Sequence, residues 1–84
     1  MYTLEFERRV RKELKALPSD VVRRVWEAFD RLRDDPFAGT YKKLVGANSY
    51  RVRVGDYRVI YDVSTVERKV TVLKVGHRRD IYHR

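Results

Sequence analysis

Hydrophobic and polar residues alternate most regularly over positions 50–63, in the segment YRVRVGDYRVIYDV. The alternation has a period of two on both sides of Gly55-Asp56, which predicts two strands joined by a two-residue turn. Glycine at the first turn position favours a type II′ turn, and so short a loop fixes the strand register. The predicted pairs of this β-hairpin are Val54 with Tyr57, Arg53 with Arg58, Val52 with Val59, and Arg51 with Ile60.

The two faces of the predicted hairpin differ in chemistry. The apolar face should be buried, and it carries Tyr50, Val52, Val54, Tyr57, Val59, Tyr61 and Val63. The other face carries Arg51, Arg53 and Arg58. Like charges directly opposite each other destabilise a strand pair, so a bound phosphate would stabilise this face. Alternatively, these arginines form the solvated face of an antiparallel sheet, with their long side chains spread apart.

Helical periodicity follows a short initial alternation. Apolar and polar residues alternate over positions 2–6, which predicts a first strand. Apolar residues then recur at positions 10, 14 and 17, which predicts a helix from about Glu7 to Leu17. Pro18 should end this helix, because the residue before a proline is disfavoured in the helical conformation.

A second helix is predicted to run to about Arg33, with Ser19 or Asp20 as its N-cap. One apolar stripe identifies its buried side, formed by Val22, Val25, Trp26, Phe29 and Leu32. Trp26 and Phe29 could form a platform for stacking bases. Aromatic residues on such a stripe are typically part of the core, and we assign both residues to the core.

The rest of the chain predicts a linker and a last strand. Residues 37–48 are interpreted as a loop with a short extended piece at 43–45. Lys69–Val75 is apolar on both faces, which is typical of a strand in the middle of a sheet. Gly76 should let the backbone leave the sheet. The order β-α-α-β-β-β predicts one α+β domain over residues 1–84, in which a helical hairpin packs on the apolar face of an antiparallel sheet.

Composition narrows the function classes. Twenty Lys and Arg residues against twelve Asp and Glu residues give a net charge of +8 in 84 residues. Such an excess favours a polyanion, nucleic acid first, although an acidic protein or an anionic membrane surface would also fit. The chain has no cysteine and only two histidines, so neither a disulfide, a metal site nor another cofactor is expected. It lacks an apolar membrane span and a signal-peptide core, and a cytoplasmic location is expected.

The segment GHRRDIYHR after the last strand concentrates basic and aromatic groups. It contains two histidines, three arginines and a tyrosine within nine residues. Its position predicts that these groups lie near the arginines of the hairpin. Other interpretations stay open: a backbone-bonded His77, Tyr82 as a lid on the core, and Arg79, His83 and Arg84 as surface groups.

The segments YRVRVGDYRVIY and VLKVGHRRDIY, with their spacing and the preceding strand and helical hairpin, resemble the RelE branch of the RelE/ParE toxin superfamily. The resemblance covers nearly the whole chain and is specific in these two motifs. It implies a fold similar to microbial ribonucleases and the toxin of a type II toxin-antitoxin system. The implied activity is mRNA cleavage in the ribosomal A site, beside 16S rRNA. The implied partner is a RelB-like antitoxin, and operator DNA would be bound only through the toxin-antitoxin complex.

The resemblance also implies which residues act. Catalytic positions of the family correspond here to Arg51, Arg53, Arg58, His77, Arg78 and Tyr82. Lys42, Lys43 and Arg79 are candidate contacts to the RNA backbone, although charges in loops are often only solvated.

Metal-independent RNA cleavage needs three operations. The 2′-hydroxyl loses its proton, the phosphorane is stabilised, and the 5′-oxygen is protonated as a 2′,3′-cyclic phosphate forms. Arg58 and Arg78 suit the second operation, because a guanidinium binds two phosphate oxygens at once. Well-studied relatives carry lysines at the positions of Arg51 and Arg53, and arginine is a poor base. His77, or else Tyr82, is therefore the expected proton carrier.

Other functions remain possible on the same sequence. Cleavage dominated by electrostatics, with the ribosome aligning the substrate, would need no efficient base. The ParE branch shares the fold but acts by binding gyrase. A non-catalytic basic binding module is a third possibility. The motif at positions 75–79, together with Tyr82, favours the RelE branch.

Overall fold

The computed structural model describes residues 1–38 and 49–81, together with the backbone of 41–43. The elements in chain order are β1 (Thr3–Phe6), α1 (Arg8–Lys15), α2 (Ser19–Asp34), β2 (Tyr41–Lys43), β3 (Ser49–Val54), β4 (Tyr57–Ser64) and β5 (Lys69–His77). The predicted α+β class and the helical hairpin are confirmed. The strand at 41–43 is an addition to the predicted loop, and residues 44 and 45 of the extended piece predicted at 43–45 lie outside the described residues.

The sheet has five strands in the order β1-β5-β4-β3-β2. The pairs β2-β3, β3-β4 and β4-β5 are antiparallel, whereas β1 pairs with β5 in parallel. The predicted antiparallel pairing is therefore confirmed for β2 to β5, and β1 adds a parallel strand at one edge that was not predicted. Alternation within a strand predicts that the strand exists but not the direction of its neighbour. The central place of β5 agrees with its apolar character.

The two helices pack on the apolar face of the sheet, and their buried residues join those of the strands in one cluster. The buried face of α2 consists of Val21, Val25, Ala28, Phe29 and Leu32. The prediction for Trp26 is wrong, since 43% of its surface is exposed. Its ring packs edge-on against Phe29 and Phe6, with centroids 5.0 and 5.8 Å away. Trp26 lies at the border of the buried stripe, because Val21 takes the place predicted for Val22.

The start of α2 also differs from the prediction. Ser19 and Asp20 already belong to the helix, and Pro18 is the N-cap residue, without a side-chain hydrogen bond. Proline has a fixed φ that suits entry into a helix, so this start depends on backbone geometry rather than on a capping side chain.

Tyr61 ties the end of α2 to the middle of the sheet. Its side chain is fully buried, and its hydroxyl donates a hydrogen bond of 2.8 Å to the carbonyl oxygen of Pro36. Its ring stacks on Tyr50, with centroids 5.8 Å apart. This contact fixes the helical layer against β3 and β4. Neither helix of the described residues is long and apolar enough to cross a membrane.

Candidate nucleic-acid interface

The hairpin turn between β3 and β4 forms as the sequence predicts. Gly55 has a φ of +60°, and Asp56 is not among the described residues with positive φ, as a type II′ turn requires. All predicted pairs are confirmed, including Arg53 opposite Arg58 and Arg51 opposite Ile60. The register therefore places the three arginines of the hairpin on the face opposite the helices.

Arg58 is buried, with only 7% of its surface exposed, whereas Arg53 across the ladder is exposed. The guanidinium of Arg58 turns towards the hairpin loop. Its Nη1 donates hydrogen bonds to the carbonyl oxygens of Gly55 and Tyr57, at 3.0 and 2.9 Å. These bonds explain how two arginines can share a cross-strand position: one is held by backbone dipoles and the other extends into solvent.

The charge of Arg58 has no carboxylate partner within the described residues. In the same part of the chain, its Nε and Nη2 make no hydrogen bond. A buried cation that is balanced only by carbonyl dipoles favours an anion strongly, because such a charge is costly to leave unpaired. Arg58 therefore offers a planar pair of donors suited to a phosphate.

Arg78 reaches the same turn from the end of β5. Its backbone N–H donates to the carbonyl oxygen of Asp56 at 2.8 Å, and its Nε lies 4.0 Å from Asp56 Oδ1. Both side chains are more than half exposed, so this pair is weak and can be exchanged for another anion. The fold thus brings Arg58 and Arg78, which are twenty residues apart, to neighbouring residues of one turn.

The basic face is less open than the sequence predicts. Ile60 lies on this face but is only 8% exposed. Its cross-strand partners are Arg51 on β3 and Lys74 on β5. Long basic side chains cover apolar surface with their methylene groups and keep their charges outside. We therefore interpret Ile60 as an apolar residue that is covered by the side chains of Arg51 and Lys74, so this part of the face is not fully solvated.

Lys74 on the same face was not predicted, because the pairing of β4 with β5 contains an irregularity. Strict alternation from Val70 and Val72 would place Lys74 among the core residues. The register between β4 and β5 shifts between Ile60 and Tyr61, and this shift pairs Lys74 with Ile60. A lysine at a position that strict alternation assigns to the core is the signal that could have predicted the bulge.

His77 does not join the arginines. β5 continues through Gly76, which pairs with Arg58, so the prediction that Gly76 ends the ladder is wrong. His77 is the next residue and pairs with Tyr57, which places it on the helix-covered face. Its ring packs edge-on against Tyr57 at 5.2 Å, and its Nδ1 accepts a hydrogen bond of 3.1 Å from the Arg79 backbone. The structure therefore separates His77 from Arg58.

The remaining candidate residues are placed only in part. In the β2-β3 ladder, Lys42 pairs with Arg51 and Lys43 pairs with Tyr50. Arg79 is exposed just after β5. Tyr82, with His83 and Arg84, lies outside the described residues, and its role stays a prediction.

A side chain from α1 supports the part of β5 that leads to Arg78. β1 pairs with β5 only as far as Val72, so the following residues of β5 have no neighbouring strand on that side within the described part of the chain. Glu13 fills this position, and its Oε1 accepts a hydrogen bond of 2.8 Å from the Val75 backbone. An unsatisfied backbone N–H would be costly here, so Glu13 stabilises the strand end that carries Arg78.

Glu13→Ala should lower the free energy of unfolding by about 1–3 kcal/mol, because the part-buried N–H of Val75 loses its acceptor. Glu13→Gln keeps a carbonyl oxygen at this place and should retain most of the stability. Urea denaturation measures both effects, with Glu27→Ala on the exposed side of α2 as the control. Equal midpoints for Glu13→Ala and Glu27→Ala would show that the contact contributes nothing.

Lys69 lies outside this interface and has a raised pKa. Its side chain lies 3.1 Å from the Glu67 carboxylate and 3.7 Å from that of Glu5. The hydrogen bond to Glu67, followed by the charge of Glu5, raises the pKa of Lys69 above its ordinary value. This cation is neutralised at the beginning of β5, whereas Arg78 follows the end of the same strand.

The chain resembles known proteins over nearly its whole length. A family model described as the ParE toxin of type II toxin-antitoxin system, parDE, matches residues 4–82. Toxin RelG of Mycobacterium tuberculosis is 34% identical, over 99% of this chain and 98% of RelG. A chain of the archaeal RelE-RelB complex from Pyrococcus horikoshii has a TM-score of 0.83 and 34% identity, over 94% of this chain and 97% of its own length. The isolated E. coli RelE toxin has a TM-score of 0.80 and 28% identity, over 92% of this chain and 84% of its own length. As its two motifs predict, the chain belongs to the RelE/ParE family of toxins of type II toxin-antitoxin systems.

Proposed function

We propose that this toxin is a ribosome-dependent endoribonuclease that cleaves mRNA in the A site without a metal ion. The observation that carries the proposal is the pair of arginines at the hairpin turn. Arg58 is buried without a carboxylate partner in the described residues, and Arg78 lies at the neighbouring turn residue. Two guanidinium groups that reach the same turn suit a phosphodiester whose negative charge increases during reaction.

The proposed reaction is an internal transfer of the phosphoryl group. The 2′-hydroxyl of the RNA gives its proton to water and its oxygen attacks the adjacent phosphorus. The bond to the 5′-oxygen breaks, this oxygen takes a proton from water, and a 2′,3′-cyclic phosphate forms. Arg58 binds the non-bridging oxygens through Nε and Nη2, which are directed away from its backbone contacts. Arg78 exchanges its weak contact with Asp56 for the same phosphate. Both cations stabilise the phosphorane more than the ground state, which lowers the barrier.

None of the predicted catalytic residues in the described part of the chain supplies a base beside Arg58. Arg51 and Arg53 carry guanidinium groups, which are poor bases, and His77 lies on the other face of the sheet. We therefore assign the rate mainly to electrostatic stabilisation and to alignment of the mRNA by the ribosome. Tyr82 is proposed, by resemblance to the family, to stack on a base or to orient the 2′-hydroxyl.

His77→Gln should cleave mRNA at a rate within about threefold of the parent, because its imidazole does not face the phosphate. A true general base contributes on the order of 10²–10⁴ in rate, so the two outcomes are well separated. Single-turnover cleavage on programmed ribosomes is the measurement. A loss of 100-fold or more, with an unchanged melting temperature, would instead establish His77 as the proton carrier.

The proposed partner is a RelB-like antitoxin, as in the RelE-RelB complexes among the structural relatives. The net charge of +8 favours an acidic or amphipathic segment that neutralises the basic face. Binding there would block access of RNA to Arg58 and Arg78. The toxin-antitoxin complex, rather than the toxin alone, is proposed to contact operator DNA. Because its substrate is on the ribosome, the toxin is proposed to act in the cytoplasm.

Primer extension on mRNA from cells that express the toxin tests the proposal directly. We expect cleavage within translated reading frames that disappears when translation initiation is blocked. The match to a ParE family model favours gyrase binding as the second candidate function. Growth arrest with intact mRNA and induced DNA damage would support that alternative and would contradict the ribonuclease.

A further inference from the structure

A third guanidinium, from α2, lies at the same hairpin turn. Arg24 Nη1 and Nη2 lie 3.1 and 3.2 Å from the place where a Cβ of residue 55 would stand. Because residue 55 is glycine, this place is empty and the guanidinium can approach the backbone. Neither of the two family motifs contains Arg24, and nothing in the periodicity of α2 distinguishes it from the other exposed arginines of that helix.

The charge at the turn is unbalanced. Arg24, Arg58 and Arg78 all lie against Gly55 or Asp56, and Asp56 supplies the one carboxylate that pairs with any of them in the described residues. Arg24 itself is exposed and has no carboxylate within ion-pairing distance in that part of the chain. Cations gathered without counter-ions repel each other, and an anion relieves this repulsion.

The three side chains approach the turn from different directions. Arg58 comes from the sheet face opposite the helices, whereas Arg24 comes from a helix that packs on the other face. Arg78 comes from the end of β5. Positive charge therefore continues around the tip of the hairpin. An RNA strand that places one phosphate at Arg58 would carry its neighbouring phosphate past this tip.

We propose that Arg24 binds a second backbone phosphate of the RNA, next to the phosphate held by Arg58 and Arg78. The inference rests on the proposed function, since it takes RNA as the ligand. Arg24 is then a binding residue that fixes how the strand passes the turn. It does not contact the scissile bond. Gly55 is part of the same site, because any larger residue would occupy the place next to the guanidinium.

The test is the salt dependence of binding to a single-stranded RNA oligonucleotide, measured by fluorescence anisotropy with purified toxin. Each phosphate contact contributes about 0.7 to the slope of log affinity against log salt concentration for single strands. Arg24→Ala should lower this slope by about that amount. The matched control is Arg23→Ala, which removes the same charge from the preceding exposed residue, whose side chain is directed about 100° away around the helix. We expect Arg23→Ala to keep the parental slope.

Arg24→Lys should recover most of the slope, because a phosphate contact requires only the positive charge. If Arg24 acted instead by packing its planar group on Gly55, lysine would not restore the slope. Equal slopes for Arg24→Ala and Arg23→Ala would overturn the inference, and so would a parent whose affinity does not depend on salt. Cleavage on programmed ribosomes is measured in parallel. If the parent does not cleave mRNA, the proposed function fails. If it cleaves while the two variants bind alike, only the role of Arg24 fails.

Discussion

Replacing Arg58 with lysine should lower the rate of mRNA cleavage on programmed ribosomes by about 100-fold. Removing one donor that is aimed at developing negative charge typically costs a factor of 10²–10³. Lysine retains the positive charge and can still donate to the carbonyl oxygens of Gly55 and Tyr57. It lacks the planar second pair of donors with which we propose that Arg58 binds the phosphate.

This substitution is more informative than truncation to alanine. Arg58→Ala would leave two carbonyl oxygens of the turn without their donor and would create a cavity at a buried position. A loss of activity could then reflect a damaged turn. The lysine variant should unfold at nearly the parental urea concentration. Arg9→Lys on the exposed side of α1 is the control and should cleave at the parental rate. A stable Arg58→Lys variant with parental cleavage would remove the main support for the ribonuclease.

The central hairpin shows how much of this fold is encoded locally. Its two-residue turn with Gly55 fixes the register of β3 and β4, because a slip of one residue would place Arg53 and Arg58 among the core residues. Alternation on both sides of the turn leads to the same register. For this reason the partner of each residue in the hairpin could be predicted before any tertiary contact was known.

Features that depend on contacts between distant segments could not be predicted from the local sequence pattern. The parallel pairing of β1 with β5 joins residues more than sixty positions apart, and no local pattern sets its direction. The placement of Trp26 depends on how far α2 is rotated against the sheet, which is decided by Val21 and Phe29 packing on the strands. Glu13 is similar, because its partner at Val75 exists only once α1 lies beside β5.

Some residues of the candidate site are placed by local sequence, and others are placed by contacts between distant segments. The face of Arg58 follows from the hairpin register alone. The place of Arg78 needs the end of β5 to lie beside the turn, which is predicted from the position of its segment directly after the last strand. His77 was predicted to join them, but adjacent residues of a strand point to opposite faces, so a continuous β5 that places Gly76 opposite Arg58 turns His77 away. Arg24 reaches the turn only through the packing of α2.

Arg78→Ala should also lower mRNA cleavage by about 100-fold, with almost no change in stability. The side chain is 58% exposed and its carboxylate contact measures 4.0 Å, so its loss should change the free energy of unfolding by less than about 0.5 kcal/mol. The backbone bond from residue 78 to Asp56 remains in any such variant. Arg79→Ala removes the same charge from the next exposed residue, and we expect a much smaller loss of cleavage.

Combining the two substitutions tests whether both arginines bind the same phosphate. Groups that stabilise one transition state as a unit give strongly non-additive effects, because losing either group already removes most of the benefit. Arg58→Lys combined with Arg78→Ala should therefore cleave within about tenfold of either single variant, rather than at the roughly 10⁴-fold loss that independent effects would give. Single-turnover rates on programmed ribosomes are measured for the parent, the two single variants and the double variant, which together form a double-mutant cycle. Full additivity would mean that the guanidinium groups act on different phosphates, and Arg78 would then belong with Arg24 in holding the strand rather than with Arg58 at the bond that breaks.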